Sequence, residues 1–202
     1  MTAVVLLTAS RPAHACGNEV ERVVRVDPTA QSVRKAERLL ASGSYRAAAR
    51  EVLATFPAAL QAEHRDARPG LFERGQRVLA LATVRSGGAL PLGRALAGRT
   101  AAQREAGLAW AAAILRVHHA RAGGVLITSE LAEALAQLPA ERAEARTLLA
   151  ELGDGDLLPT ARSWALLAAL ERGFGDEVAA GRATRRCKEI APSGDTCAIA
   201  AA

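Results

Sequence analysis

Apolar positions recur along this chain three and four apart, with charged residues in the gaps, and almost nowhere in strict alternation. That spacing keeps one face of a helix apolar. Asp27-Pro28 reads as a helix start, a capping side chain followed by Pro at the first helical position, and the first helix should run to about Ser42. Gly43 and Ser44 turn the chain, and a second helix is expected from Tyr45 to Phe56, stopped by Pro57. Residues 58–67 suggest a further short helix before Pro69-Gly70, and Leu71 to Arg85 a strong one. "SGGALPLGRALAGR" is a Gly-rich insertion, and "TAAQREAGLAWAAAILRVHHARA" is the longest helical stretch, ending at Gly123-Gly124. "TSELAEALAQL", "AERAEARTLLAEL", a "GDGD" turn, "PTARSWALLAALERG" and "GDEVAAGRATRRCKEI" complete the series. The expectation is nine or ten antiparallel helices joined by short turns.

The turn at Gly43 has a counterpart. "GSYRAA" (43–48) and "GDEVAA" (175–180) share a Gly at the turn and paired Ala on the following helix. Seven residues before each Gly stands another Ala, Ala36 and Ala168. The two Gly are 132 residues apart, about four periods of ~34, and Ala145 precedes Ala180 by 35 residues on an equivalent helix. Small residues at such positions let the two helices of a pair cross at close range.

In these residues the chain resembles the tetratricopeptide repeat family. Trp164, Leu167, Ala168, Gly175, Ala180 and Pro192 fall at the spacing of the family's signature positions. The unit from Leu131 to Leu152 is similar through Leu131, Ala132, Ala145, Leu149 and Leu152, with Pro139 in place of the turn Gly. The first unit is similar through Ala36, Gly43, Tyr45, Ala48 and Val52; the one between keeps Leu79 and Ala80, its turn lengthened by the Gly-rich insertion. Glu171 and Thr184 stand where the family has larger apolar or aromatic residues. The resemblance implies an all-α right-handed superhelix of antiparallel helix pairs over residues 29–192, an α-solenoid, whose first helices line a concave groove. By position relative to the small residue, the groove candidates are Glu37, Ser129, Glu133 and Arg172.

Composition supports helices. Half of the 202 residues are hydrophobic but only 3% aromatic, and 48 are Ala, the best helix former. Lysine occurs only at Lys35 and Lys188 against 24 Arg; with so much Ala this follows GC-rich coding, so Arg abundance is no functional signal. The net charge of +5 is spread over interleaved Arg and Glu, the pattern of solvated helix faces with i,i+3 and i,i+4 pairs. The one concentrated run, "GRATRRCK", puts Arg182, Arg185 and Arg186 on one stripe. A nucleic-acid surface would want interleaved aromatics or a reading motif, and neither is present. That leaves a solvated face, or a patch for an acidic partner.

The chain opens as an exported one would. Residues 1–15 carry a short apolar core, Ala3 to Ala9, and small residues at Ala13 and Ala15, the cleavage-defining positions, without a basic lead. Residues 16–28 are expected to form an extended lead-in, and Cys16 would stand first after the cut, where a lipid anchor is the alternative to a free or paired thiol. The apolar run is too short to span a bilayer. Cys187 and Cys197 bracket "KEIAPSGDT", a turn around Pro192 and Gly194, and in an exported protein read as a disulfide pinning the tail, residues 193–202.

Catalytic chemistry finds no support. His118 and His119 point about 100° apart on a helix and cannot chelate one ion alone; they read as an exposed helix end near Gly123. "GDGD" lacks the rest of a calcium loop and reads as a turn. Ser129 and Ser163 have no His/Asp partner in a recognisable setting. HExxH, P-loop and GxSxG motifs are missing, and Trp110 and Trp164 lie on Ala/Leu-rich faces as core fillers. The expectation is a non-enzymatic protein–protein interaction module of the periplasm or extracellular space, without cofactor or metal, holding a peptide or protein in its groove. The alternatives are a nucleic-acid binder using the Arg stripe and an enzyme with an unrecognised site.

Overall fold

Asp27 opens the first helix as its sequence demands, its carboxylate accepting the Thr29 N–H at 2.9 Å with Pro28 at the first helical position. The structure is a computed structural model that describes residues 27–61, 69–93, 98–191 and 195–198. The expected signal peptide, most of the lead-in with Cys16, and the reversal at Pro192 to Gly194 lie outside the described residues. Helix α1 (Pro28–Ala41) ends at Ser42, and Gly43, at φ +76°, turns the chain into α2 (Tyr45–Thr55). A 3-10 turn, Pro57–Leu60, follows. Then come α3 (Pro69–Arg85), α4 (Ala101–Ala122), α5 (Val125–Leu135), a 3-10 turn Pro139–Glu141, α6 (Arg142–Asp154), α7 (Ala161–Gly173) and α8 (Glu177–Ile190), with a last 3-10 turn at Asp195–Ala198.

Among the described residues all regular structure is helical, eight α-helices and three 3-10 turns, against the nine or ten helices expected. The short helix expected over residues 58–67 lies largely outside the described residues, and its described part, 58–61, holds only the end of the 3-10 turn. Polar side chains cap three of the later helices. Thr100 and Gln103 close a reciprocal capping box on α4, Thr160 caps α7, and Asp176 caps α8.

Consecutive helices pack against one another throughout, and the odd-numbered helices also pack in series, α1 on α3, α3 on α5 and α5 on α7. The odd helices therefore form one row, with α2, α4 and α6 each contacting the odd helix on either side. α3 is surrounded by α1, α2, α4, α5 and the first 3-10 turn, and is accordingly buried on nearly every side from Val78 to Val84. The small residues that suggested close crossings, Ala36, Ala48, Ala145, Ala168 and Ala180, are all buried.

The Gly-rich insertion does more than lengthen a turn. Leu90 and Leu92 are 1% and 3% exposed and belong to the continuous core that runs from Val33 to Cys187. Gly88, at φ +72°, lies so close to α4 that a Cβ there would stand 2.2 Å from the Arg104 carbonyl oxygen.

Candidate functional site

Three of the four residues expected to line a groove sit in the seams of the odd-helix row. Glu37 of α1 accepts two hydrogen bonds from the Arg74 guanidinium of α3, at 3.0 and 2.8 Å. Glu133 of α5 is buried between two arginines. Arg85 of α3 approaches it from one side, with Nε and Nη2 both at 3.0 Å, and Arg162 of α7 from the other, with Nε at 2.6 Å. The Ser129 hydroxyl of α5 shares a 2.7 Å hydrogen bond with Ser163 of α7, which in turn bonds the capping hydroxyl of Thr160 at 2.8 Å. Arg172 is apart from these. It is exposed near the end of α7, 4.0 Å from Glu177, and about 15 Å along the helix from Arg162 at 1.5 Å per residue.

Glu130, one turn before Glu133, lies 3.0 Å from Arg77 of α3. Each seam of the row thus carries a polar bridge: α1 to α3 through Glu37, α3 to α5 through Glu130 and Glu133, and α5 to α7 through Glu133 and Ser129. Arginine suits these seams because its planar fork reaches a carboxylate with two N–H groups in fixed geometry. Glu130 and Glu133 stand three apart in an otherwise Leu/Ala-rich stretch, and carboxylates in an apolar run are a sign of buried pairing. Their arginine partners, Arg77 and Arg85 upstream and Arg162 downstream, lie on other helices and are beyond what helical spacing alone reveals.

Burial raises the Glu130 carboxyl to a pKa of about 7; the fields of Arg77 and Arg85 work against that rise and Glu133 adds to it. At Arg85, burial opposes the charge, but the hydrogen bonds and field of Glu133 outweigh it and hold the guanidinium above its ordinary value. His118 departs from the expected exposed helix end. It is 6% exposed, packed within α4's buried face, and its Nε2 has no hydrogen-bond partner among the described residues. Burial holds its pKa below the ordinary histidine value, with Glu73 opposing and Arg121 and Arg77 reinforcing the shift.

Elsewhere, arginines lie over aromatic rings. Arg186 lies over Trp164, 5.8 Å from the ring centroid, and Arg146 over Phe174 at 5.2 Å. Trp164 is buried, and Trp110 is half-buried with its indole N–H donating to the Leu60 carbonyl at 3.0 Å. Glu171, placed where an apolar residue was expected, is buried and held by Arg146 at 2.7 Å. Of the basic stripe, Arg186 is committed to Asp156 of the GDGD turn and to Glu189, while Arg182 and Arg185 are exposed. Among the described residues no group of three or more His, Cys, Asp or Glu side chains is placed to hold a metal ion.

Cys187 and Cys197 form a disulfide, with Cα atoms 5.8 Å apart, and the last 3-10 turn packs on α7 as well as α8. A cystine is compatible with an oxidising, exported compartment. No helix among the described residues is long and apolar enough to cross a membrane. No protein-family model, curated protein or solved structure matches the chain.

Proposed function

We propose that the chain is a non-enzymatic protein-interaction module of the cell envelope, a tetratricopeptide-like α-solenoid whose odd-helix row carries a groove for a peptide or protein. The observation behind this reading is the row itself. Four helices pack in series, and arginine–carboxylate and hydroxyl bridges at the seams between them hold their register. A surface of that kind is fixed before a partner arrives, which lowers the ordering cost of binding. The five buried alanines, spaced as helix pairs would space them, support the repeated unit, and the cystine is in keeping with export.

In this reading Arg172 is an exposed charge of the row and Glu37 a half-buried one that also bridges α1 to α3, while Ser129 and Glu133 hold the row together from within. A pull-down from envelope extract tests it, with wild type beside the variants Glu37→Gln, which places no second cation against Arg74, and Arg172→Glu. A partner retained by wild type and lost from these variants supports the row as the binding face. Recovery of identical partners from all three removes it.

A further inference from the structure

A second surface stands outside the row. Helix α2 presents Arg46, Arg50 and Leu53 along one stripe (i, i+4 and i+7), and facing them is the insertion that begins after α3. Between the two run adjoining hollows of about 410 and 290 Å³. The larger reaches from Tyr45 to Ser86, and the smaller is closed by Leu53, Pro91 and Leu92. Arg46, Arg50 and Leu90 line both and form the saddle between them. The insertion wall is firm, because Leu90 and Leu92 are seated in the core.

The charges here are unmatched. Lys35 pairs with Glu51 and Arg74 with Glu37 in the same part of the molecule, whereas Arg46 and Arg50 are exposed and have no carboxylate partner among the described residues. No Asp or Glu lines either hollow. Two cations one helical turn apart with apolar space on both sides call for a ligand that is apolar, then anionic, then apolar. Inorganic phosphate has no apolar part, and a fatty acid places its carboxylate at one end of a single tail. An extended peptide meets the requirement. Alternate side chains point the same way, so positions i, i+2 and i+4 span about 13 Å. Tyr45 to Leu53 covers about 12 Å along α2.

We propose that the groove between α2 and the insertion binds an extended acidic peptide segment, with an internal Asp or Glu over Arg46 and Arg50 and an apolar side chain in each hollow. The site uses none of the row's bridging residues, so its outcome is independent of the row's.

The test is two-dimensional NMR of the ¹⁵N-labelled full chain titrated with an end-capped Leu-Ser-Asp-Ser-Leu peptide, whose single carboxylate is the central one. The expected result is saturable shifts confined to 45–53 and 86–92 that weaken with added salt. Affinity should fall at least tenfold for the peptide with Asn at its centre, and likewise for the protein carrying Arg46→Glu and Arg50→Glu. Both arginines are exposed, so the double variant should keep the wild-type spectrum elsewhere; Arg46→Gln with Arg50→Gln serves if it does not. Affinity within twofold for the Asn peptide or for the folded double variant overturns the proposal. So does a response of these residues to laurate or to phosphatidylglycerol vesicles but not to the peptide.

Discussion

Ala48 and Ala180 have no exposed surface, and each lies on the second helix of a tightly packed pair, α1 with α2 and α7 with α8. Leucine at either site must push its neighbours aside, so Ala48→Leu and Ala180→Leu are each expected to lose about 1–3 kcal/mol of stability in urea denaturation. These alanines were legible in the sequence because a small residue recurring at a fixed distance from a turn Gly has a packing cause. Glu130 shows what spacing does not reveal. Its folded pKa, about 7, lies above its ordinary value of 4.5, so its contribution to stability is fully present below pH 4.5 and is lost as pH rises through 7. Glu130→Gln should therefore match wild type near pH 4 and exceed it by up to about 3 kcal/mol at pH 8. His118 works in the opposite sense. Its pKa is lowered in the fold, so the stability it contributes is present above 6.5 and is lost as pH falls. Urea midpoints of both proteins across this range isolate Glu130, since His118 is common to them.

The insertion is the element on which expectation and structure differ most. Its glycines marked it as irregular, but composition gives no sign that Leu90 and Leu92 enter the core or that Gly88 abuts α4. Irregular backbone with two buried leucines has no period to detect, whereas α1 was legible because cap, apolar spacing and turn Gly agree, and α4 because a long Ala- and Leu-rich run ends at a Gly pair. Two neighbouring glycines supply an internally controlled test. Gly87 (φ +62°) has open space where a Cβ would go, so Gly87→Ala is expected to lose only the left-handed backbone penalty, about 1–2 kcal/mol. Gly88 (φ +72°) adds a 2.2 Å approach to a helix carbonyl, so Gly88→Ala should lose more, about 3 kcal/mol or above, by shifting the insertion off α4. Thermal melts decide it; equal losses at the two sites would show that the insertion yields freely and that the Arg104 contact does not hold it. The row of odd helices gives a further test at this scale. Glu133→Ala leaves Arg85, 22% exposed at its side chain, beside an empty seam, and should lose about 3 kcal/mol, in the range for a buried pair broken on one side.

At the scale of the molecule, helices joined in series are stabilised by their neighbours, and an end helix has a neighbour on one side only. Among the described residues α8 packs chiefly on α7, and the 3-10 turn at Asp195–Ala198 covers both, tied back by the bond from Cys197 to the fully buried Cys187. The pairing was legible because two cysteines bracketed a Pro/Gly turn; the contact of the tail with α7 was not, since it depends on where the helix pair ends in space. A cross-link between residues 10 apart restricts the unfolded chain by about 2–3 kcal/mol. Cys197→Ser is the informative variant, because it removes the bond while leaving the buried Cys187 position a thiol and adding no hydroxyl to the core. If the chain behaves as a series, the loss should be local before it is global. Amide exchange in 177–190 should quicken by about 30- to 150-fold, the equivalent of those 2–3 kcal/mol at 1.4 kcal/mol per tenfold, while exchange in α3 and α4 stays at the wild-type rate. Uniform quickening from α1 to α8 would instead mean that the helices unfold as one cooperative unit and that the disulfide stabilises all of them alike.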